Sequence, residues 1–411
     1  MTIHPMARHC LYIHSHENKK CDMVLLAGDL FHENKPSRRT LYRTMDIIRR
    51  YCLGPDPVQF HIISDQKTNF RSTIHGVVNF EDPFYAVDLP IFAIHGNHDD
   101  PVRDGGSDVL AALDLLAIAN LVNYIGRHDE VDKVEVSPVL IQKGSTRVAL
   151  YGMGSMRDER LNRMWLGKKV RFLKPEGDEE EDGEGDVDDD DEHKWFKILA
   201  LHQNRDAGRG KKNCVHESMI PNFMDLVVWG HEHECRIIPD ESAMGTFRIT
   251  QPGSSIATSL SAGESLNKHV GILDVRGSDF RMLPVPLSQV RSFVIRDVSL
   301  QQQKGLGDKL DPRIDDKITE FLAKEVENLI ATAREQIQLT HRDAAVATGI
   351  DLEQYPHSDL ASLVSQGLKY KLEKPEQVLI RLKVEHSGYN SVNNQRFGSR
   401  FVENVVRSIF T

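Results

Sequence analysis

The chain has 411 residues, enough for two domains with sizeable buried cores. No stretch approaches the 18 or so consecutive apolar residues of a membrane-spanning helix, and no secretory signal is visible at Met1. The five cysteines are dispersed and form no Cys-x-x-Cys pair, a pattern typical of a reducing compartment rather than a disulfide scaffold.

The formal net charge of −10 depends on a single acidic run, residues 176–192. That run holds 13 acidic and no basic residues, so the rest of the chain carries 51 basic and 48 acidic residues. Its charge and lack of apolar residues predict a disordered surface insertion. Two interpretations stay open: a solvated insertion without a specific role, or a segment that mimics DNA or binds a partner.

Four short apolar runs are predicted to be buried strands of a sheet that is covered on both faces. They are Asp22–Ala27, Leu89–Ile94, Trp195–Leu201 and Asp225–Trp229. Each run ends at a polar side chain, and the side chains concerned are Asp29, Asn97, His202, His231 and His233. Because ligands bind outside the carboxyl ends of such strands, these side chains predict a metal site at one rim.

The residue types fit that prediction. Carboxylate and amide oxygens with imidazole nitrogens suit manganese, iron or zinc, and one carboxylate can bridge two ions. Gly28, Gly96 and Gly230 are expected to allow the sharp exit from each strand. Each motif alone more often marks an ordinary turn or a solvated loop, whereas four at successive strand ends indicate a metal centre.

The order of these motifs resembles the calcineurin-like metallophosphoesterases, and within them the branch of DNA double-strand-break repair nucleases. The resemblance runs from about Cys21 to about Leu300 and continues more loosely to the end. The segments that carry it are Gly28–His32, Gly96–Pro101, His202–Arg205, Gly230–Glu234 and Gln251–Ser255.

The resemblance implies a two-ion manganese site. Asp29 would bridge both ions, and His233 would bind the second ion. Asn97, His202 and His231 would complete the site of the first ion.

Two further histidines and three basic residues have implied roles. His98 would stabilise the transition state or protonate the leaving oxygen, as an imidazole with a pKa near neutrality can do. His32 would orient the nucleophile or the phosphate, or alternatively pack against the following helix. Lys35, Arg38 and Arg39 are candidate phosphate-binding residues, or merely solvated charges at a helix start.

One family motif has no counterpart. Members of the family open with a strand that ends in Asp-x-His, roughly forty residues before the bridging aspartate, and only 28 residues precede Asp29. His14-Ser15-His16 is an imaginable substitute. We therefore expect one complete metal site, a second site lacking two ligands, and impaired catalysis. Truncation, an alternative start and a mispredicted gene end are the explanations that stay open beside a true loss of the motif.

Two helices are predicted, over Pro36–Tyr51 and Ser107–Asn120. The resemblance implies that such helices form a homodimer through a four-helix bundle, whereas the residues alone fit ordinary packing against a sheet. Between them, residues 53–89 are too long for a plain loop. The resemblance implies contact with the Nijmegen-breakage adaptor subunit there, with anchors or local packing residues at Phe60, Phe70, Phe80 and Tyr85.

The predicted fold class is α/β. Residues 1–290 would form a metallophosphoesterase β-sandwich flanked by helices, and residues 291–411 a second, smaller α/β capping domain, truncated at its end. The second domain would contain strands at Arg291–Leu300 and Gln377–His386 and a helix at Asp315–Glu335. The family segment that docks on the SMC-like ATPase subunit would lie further downstream.

Three functions are compatible with the sequence. The first is a nuclear, manganese-dependent nuclease that acts on DNA ends as a 3′–5′ exonuclease and on single strands or hairpins as an endonuclease. The second is a non-catalytic scaffold that binds DNA ends, and the third is a small-molecule phosphoesterase. Nuclease activity on a labelled duplex end discriminates among them.

Overall fold

The computed structural model describes residues 21–406 apart from several gaps. The gaps are residues 72, 74–75, 104–108, 129, 131, 176–193, 207–209, 211, 288–289, 304 and 348–376. The acidic run 176–192 and the histidines at positions 14 and 16 therefore lie outside the described residues.

The described part contains eighteen strands and six α-helices. The strands are β1 Val24–Ala27, β2 His61–Ile62, β3 Ile91–Ile94, β4 Val102–Arg103, β5 Val109–Leu110, β6 Asn123–Tyr124, β7 Val134–Val136, β8 Val139–Lys143, β9 Thr146–Met153, β10 Val170–Phe172, β11 Phe196–His202, β12 Leu226–Gly230, β13 Arg236–Glu241, β14 Arg248–Gln251, β15 His269–Arg276, β16 Asp279–Pro286, β17 Phe293–Ser299 and β18 Leu379–Glu385. The helices are α1 Arg38–Cys52, α2 Gln66–Asn69, α3 Ala112–Ile118, α4 Asp158–Leu166, α5 Ile314–Ala347 and α6 Asn394–Gly398. None of these helices is long and apolar enough to cross a membrane.

The chain divides into two compact units that interleave along the sequence. The first unit comprises the described residues up to Glu232, together with Arg236–Gly253 and Val270–Pro284. The second comprises His233–Cys235, Ser254–His269 and the described residues from Val285 onward. The predicted functional boundary at residue 290 stays a prediction.

Two sheets form the centre of the first unit. One has three parallel strands in the order β1-β3-β6, and the other has seven strands in the order β13-β14-β12-β11-β9-β8-β2. Within the larger sheet, β9, β11, β12 and β14 run parallel to one another. The four predicted metal-site strands are all present, two in each sheet, so the predicted sandwich flanked by helices is confirmed.

Successive side chains of a strand point to opposite faces of its sheet. Both faces are covered here, which explains why the apolar runs are continuous. Phe92 and Ile94 of β3 share one buried cluster with Ile198 of β11, which packs the two sheets face to face. The opposite face of the small sheet, including Ile91 and Ala93, packs against α1 and α3. The opposite face of the large sheet, including Trp229, packs against α4. The layers are therefore helix, sheet, sheet, helix.

The helix predicted for Ser107–Asn120 is shorter than expected. Val109 and Leu110 form strand β5, and α3 begins only at Ala112. The side chain of Asp114 accepts a hydrogen bond from the backbone N–H of Ala111 at 2.7 Å, so it caps the helix in the place expected for Ser107. Ser107 itself lies outside the described residues.

Two of the four proposed adaptor anchors in residues 53–89 are core residues. Phe60 is 2% exposed and Phe70 is fully buried, and both belong to the cluster between the sheets. Phe80 packs edge-on against Phe60, while Tyr85 is exposed. Local packing is therefore the correct interpretation for Phe60 and Phe70, because a side chain without exposed surface offers nothing to a partner.

The second unit contains a separate α/β core. Strands β17 and β18 pair in parallel along their full length, from Phe293 opposite Leu379 to Ser299 opposite Glu385. Helix α5 covers them with the buried side chains of Ile318, Leu322 and Leu329. The predicted helix at Asp315–Glu335 is thus confirmed and extends further, to Ala347.

Replacing Phe92 tests the packing between the sheets. Phe92→Ala should lower the free energy of unfolding by roughly 3–5 kcal/mol, because it leaves a cavity between two sheets that cannot close around it. Urea unfolding followed by circular dichroism measures the change. The matched control is Phe84→Ala at a side chain that is 83% exposed, which should change stability by about 0.5 kcal/mol or less. Equal effects of the two substitutions would contradict the described layers.

Candidate metal centre

The paired strands bring the predicted ligands to one edge of the first unit. Ala27 at the end of β1 lies opposite Ile94 at the end of β3. His202 at the end of β11 lies opposite Gly230 at the end of β12. Asp29 and Asn97 follow the first pair of strand ends. His231 follows the second, so four side chains meet where both sheets terminate.

Glycines at these strand ends are required mainly for space. Gly28 has a φ of +94°, which confirms the expected sharp exit, and a Cβ there would clash with the His202 ring. Gly230 has no positive φ, and its Cβ would clash with the Ala27 carbonyl oxygen. A Cβ on Gly96 would clash with the Asp29 carboxylate. The sheets can approach this closely because all three positions lack a side chain.

The His202 ring is held in one tautomer. Its Nδ1–H donates to the Ala27 carbonyl at 2.8 Å, since a carbonyl oxygen can only accept. In the neutral ring, Nε2 directs its lone pair toward Asp29 Oδ2 and Asn97 Oδ1, each 3.2 Å away, and in the protonated ring it donates to them. With the ring neutral, three acceptor atoms therefore face one another.

His231 is oriented in a similar way. The Asn204 amide donates from Nδ2 to Asp158 at 2.6 Å, which turns its Oδ1 toward His231 Nε2 at 2.8 Å. Nε2–H of His231 therefore donates to Asn204, and Nδ1 directs its lone pair at Asn97 Oδ1, 2.8 Å away. Sequence analysis missed the role of Asn204, although the residue stands inside the His202–Arg205 motif.

These atoms fit a divalent metal ion. Asp29 Oδ2, Asn97 Oδ1, His202 Nε2 and His231 Nδ1 each present a lone pair. Lone pairs facing one another require a proton or a cation between them, and this set of oxygens and imidazole nitrogens suits manganese, iron or zinc. Each ring also uses its second nitrogen as a hydrogen-bond donor, as metal-binding histidines do.

Electrostatics at Asp29 point the same way. Burial raises the pKa of Asp29, but the contact with His202 and the His98 N–H bond outweigh it and lower the pKa. For His202, burial lowers the pKa, and the contact with Asp29 raises it above the ordinary value. The arrangement thus keeps Asp29 ionised and favours positive charge beside it.

Two of the predicted ligands have strained backbones. Asp29 has a φ of +52° and His231 has a φ of +79°, in the left-handed region that residues other than glycine rarely adopt. Such strain costs on the order of 1–3 kcal/mol per residue and persists where surrounding structure holds it, which is common at functional sites.

His98 stands beside the ligands. Its backbone N–H donates to Asp29 Oδ1 at 2.9 Å, and its ring Nδ1–H donates to the His32 carbonyl at 3.1 Å. The rings of His32 and His98 stack with centroids 4.9 Å apart. His32 is exposed, and the roles predicted for His32 and His98 stay predictions.

Asp99 holds the two ligand loops together and was missed by sequence analysis. Its fully buried carboxylate accepts from the Gly96 N–H at 2.6 Å and from the Phe31 N–H at 3.2 Å. Burial raises the pKa of Asp99 to about 6, although these two bonds act in the opposite direction. The only sign of this role in the sequence was that an acidic residue directly follows the Asn97-His98 pair.

The remaining predicted ligand, His233, belongs to the second unit. Its Nδ1 lies 3.1 Å from Glu264 Oε1 and 2.6 Å from Thr258 Oγ1. Burial raises the pKa of Glu264, but the Thr258 N–H bond and the contact with His233 lower it to about 2. Sequence analysis gave no role to Glu264.

The three predicted phosphate-binding residues lie on the surface near the start of α1. Lys35, Arg38 and Arg39 are exposed, and α1 begins at Arg38 after the N-cap Ser37. A positive charge at a helix N-terminus interacts unfavourably with the helix dipole and lowers helix stability by about 0.3–1 kcal/mol. Helix stability therefore does not explain the presence of these three basic residues.

Two other histidine clusters differ in composition from this centre. His95 is buried, donates from Nε2 to the Ser155 carbonyl and accepts from Tyr124 on Nδ1. Burial lowers the pKa of His95 to about 4, so the ring is a neutral structural element. In the second cluster, His216 contacts Asp206 at 3.3 Å and Cys214 at 3.8 Å, and one ligand atom of each of the three residues lies within 4.8 Å of the others.

Comparison with known families decides the classification. Residues 7–235 match the family described as "Calcineurin-like phosphoesterase". The chain belongs to this family. Residues 280–408 match a second description, "Mre11 DNA-binding presumed domain". The first match covers the described metal centre, and the second covers most of the second unit.

Curated relatives are similar along nearly the full chain. The "Double-strand break repair protein MRE11" of Homo sapiens is 40% identical over 391 residues. The proteins of that name from Arabidopsis thaliana and Oryza sativa subsp. japonica are 44% and 43% identical over 395 and 396 residues. Each alignment covers 95% of this chain but only 48–49% of the relative, so the chain spans about half their length.

Removing the charge of Asp99 tests its role in the centre. Asp99→Asn should lower the free energy of unfolding by about 2 kcal/mol and weaken manganese binding, because its amide would face a buried backbone N–H. Thermal melting and isothermal titration with Mn²⁺ measure the two effects. Asp100→Asn is the control, because that partly exposed carboxylate accepts from the Asn34 side chain at 3.3 Å and from neither ligand loop's backbone. Unchanged Mn²⁺ affinity in Asp99→Asn would show that the loops hold their geometry without this carboxylate.

Proposed function

We propose that this chain is the catalytic part of a nuclease that processes DNA double-strand breaks, as a 3′–5′ exonuclease and a single-strand or hairpin endonuclease. The observation that carries the proposal is the convergence of Asp29, Asn97, His202 and His231 lone pairs within a calcineurin-like phosphoesterase. The match to a presumed DNA-binding domain and the printed name of the relatives favour DNA as substrate over a small phosphoester.

The metal is proposed to be manganese, in a two-ion site. Asp29, Asn97, His202 and His231 would hold one ion, and His233 would be a ligand of the other. A bound divalent ion supplies an activated water and neutralises charge on the reacting phosphodiester. The chain's own residues hold the ligands in place, through the Ala27 carbonyl, Asn204 and Asp99.

His98 is the proposed proton donor. Its Nδ1–H bond to the His32 carbonyl and its stacking on His32 hold the ring in place, and leave Nε2 to protonate the departing sugar oxygen. Without this proton the leaving group would depart as an alkoxide. His98 is therefore a proposed catalytic residue and His32 a positioning residue.

DNA would contact the basic start of α1. Lys35, Arg38 and Arg39 are exposed and oppose the helix dipole, which is consistent with a role in binding phosphates. Residues 291–411 would form the capping domain that helps select DNA, as the presumed DNA-binding match over residues 280–408 favours.

A homodimer, further subunits and a nuclear location belong to the same proposal. The side chains of Leu115 and Ile118 on α3 are about half exposed, 47% and 48%, and would be covered by a second copy of the chain. The SMC-like ATPase and the Nijmegen-breakage adaptor subunit stay predictions from the sequence resemblance. A nuclear location follows from the proposed substrate, chromosomal DNA.

The central test is Mn²⁺-dependent degradation of an end-labelled duplex by this chain. His98→Asn should reduce the rate by roughly 100-fold or more, the range expected for loss of a general acid, while Mn²⁺ binding persists. His61→Asn, at an exposed histidine of β2, is the control and should retain activity. Chromatography of the cleaved products measures rate and polarity together.

Each outcome separates the candidate functions. Degradation that His98→Asn abolishes supports the nuclease. DNA binding without cleavage by the wild-type chain would favour the scaffold. Hydrolysis of nitrophenyl phosphate diesters without DNA binding would favour a small-molecule phosphoesterase.

The basic start of α1 is tested by a triple substitution. Replacing Lys35, Arg38 and Arg39 by alanine should weaken DNA binding uniformly across sequences and reduce the slope of its salt dependence by about 0.9 for each phosphate that the variant no longer neutralises. Fluorescence anisotropy at several salt concentrations measures both. The control is the double substitution Arg49→Ala with Arg50→Ala, which also removes positive charges but at the other end of the same helix. An unchanged salt slope in the triple variant would place the DNA-binding surface elsewhere.

A further inference from the structure

A carboxylate in the second unit lies directly against a predicted metal ligand. The Glu264 side chain is 2% exposed, and its Oε1 lies 3.1 Å from Nδ1 of His233. The same ring nitrogen lies 2.6 Å from the hydroxyl of Thr258. The His233 ring itself remains 41% exposed, so its far edge is open.

Several donors hold the Glu264 carboxylate in position. The backbone N–H groups of Thr258 and Ser259 donate to it at 2.7 Å and 2.8 Å. The hydroxyls of Thr258, Ser259 and Ser254 add bonds of 2.9 Å, 2.9 Å and 3.2 Å. Each of these groups donates a hydrogen bond to the carboxylate. Together they favour its ionised form, which can only accept hydrogen bonds.

A buried lysine completes the group and also holds the His233 backbone. Lys268 Nζ lies 3.9 Å from Glu264 Oε2. It donates to the His233 carbonyl at 3.0 Å and to the Ser254 hydroxyl at 3.1 Å. Its side chain is 3% exposed, so the positive charge offsets the buried carboxylate locally. Both the ring and the main chain of His233 are thus fixed by one group of side chains.

The arrangement decides which ring nitrogen of His233 carries the proton. An ionised carboxylate accepts, so Nδ1–H of His233 donates to Glu264, and Nε2 keeps its lone pair on the exposed edge. Histidines that bind metals through one nitrogen commonly donate the other N–H to a carboxylate, and loss of that carboxylate costs about 10- to 100-fold in metal affinity.

We propose that Glu264 is the positioning residue for His233, holding the ring in its Nδ1–H tautomer so that Nε2 is presented as a metal donor. This inference rests on the proposed function, in which His233 is a ligand. In this proposal Glu264 acts only through its contact with His233. Thr258 and Lys268 support it, the first at the ring nitrogen and the second at the His233 carbonyl.

The first test reads the tautomer in the unaltered, metal-free chain. Histidine labelled with ¹⁵N is incorporated, His233 is assigned by comparison with His233→Gln, and long-range ¹H–¹⁵N spectra identify the protonated nitrogen. The expected result is a protonated Nδ1 and an unprotonated Nε2. A protonated Nε2 with a bare Nδ1 would overturn the proposal, and this readout does not depend on whether the Glu264 variant folds.

The second test measures Mn²⁺ affinity by isothermal titration. Glu264→Gln should weaken one class of Mn²⁺ sites by about 10- to 100-fold and leave the other unchanged. The matched control is Glu325→Gln, which removes a carboxylate of the same unit paired with Arg296 at 2.7 Å and should bind as the wild type does. Thr258→Val removes only a hydroxyl at the same ring nitrogen and should weaken binding less, in the same direction, which keeps the test valid if Glu264→Gln fails to fold.

A double substitution separates positioning from other effects. If Glu264 acts through His233, Glu264→Gln should cost no further Mn²⁺ affinity in a chain that already carries His233→Gln. A full additional loss would overturn the proposal. A wild-type chain that binds no Mn²⁺ would instead refute the proposed function, while the tautomer spectra would still decide whether Glu264 positions His233.

Discussion

The hydrogen bond from His202 to the Ala27 carbonyl joins the two sheets at the edge where their strands end. It connects the last residue of β11 to the last residue of β1, so it exists only if both sheets pack at the described depth. It also fixes the His202 tautomer, and thereby turns Nε2 toward Asp29 and Asn97. This bond therefore couples the packing between the sheets to the orientation of a predicted metal ligand.

The close approach of the sheets requires missing side chains. Gly28 and Gly230 leave room for the His202 ring and for the Ala27 carbonyl, and Gly96 leaves room for Asp29. Alanine at any of these positions would push apart atoms that must lie within hydrogen-bond distance. The glycines at the strand ends are therefore needed as much for the room they leave as for the backbone conformations they allow.

Side chains outside the predicted ligand set contact several of its members or the loops that carry them. Asn204 orients His231, Asp99 ties the loops that carry Asp29 and Asn97, and Glu264 contacts His233. These partners are polar groups with most of their hydrogen bonds satisfied inside the protein, which holds a ligand without competition from water.

Much of this could be predicted from the sequence alone. Continuous apolar runs predicted β1, β3, β11 and β12, and the polar residues after them gave the candidate ligands, because a parallel strand buried on both faces leaves only its end for chemistry. Two things required the tertiary structure. The division of the four strands between two sheets depends on long-range pairing, which local patterns do not encode. The supporting roles of Asp99, Asn204 and Glu264, and the burial of Phe60 and Phe70, depend on which distant residues meet. The sequence around a carboxylate, an amide or an aromatic ring looks the same whether that side chain contacts a distant residue or lies exposed on the surface.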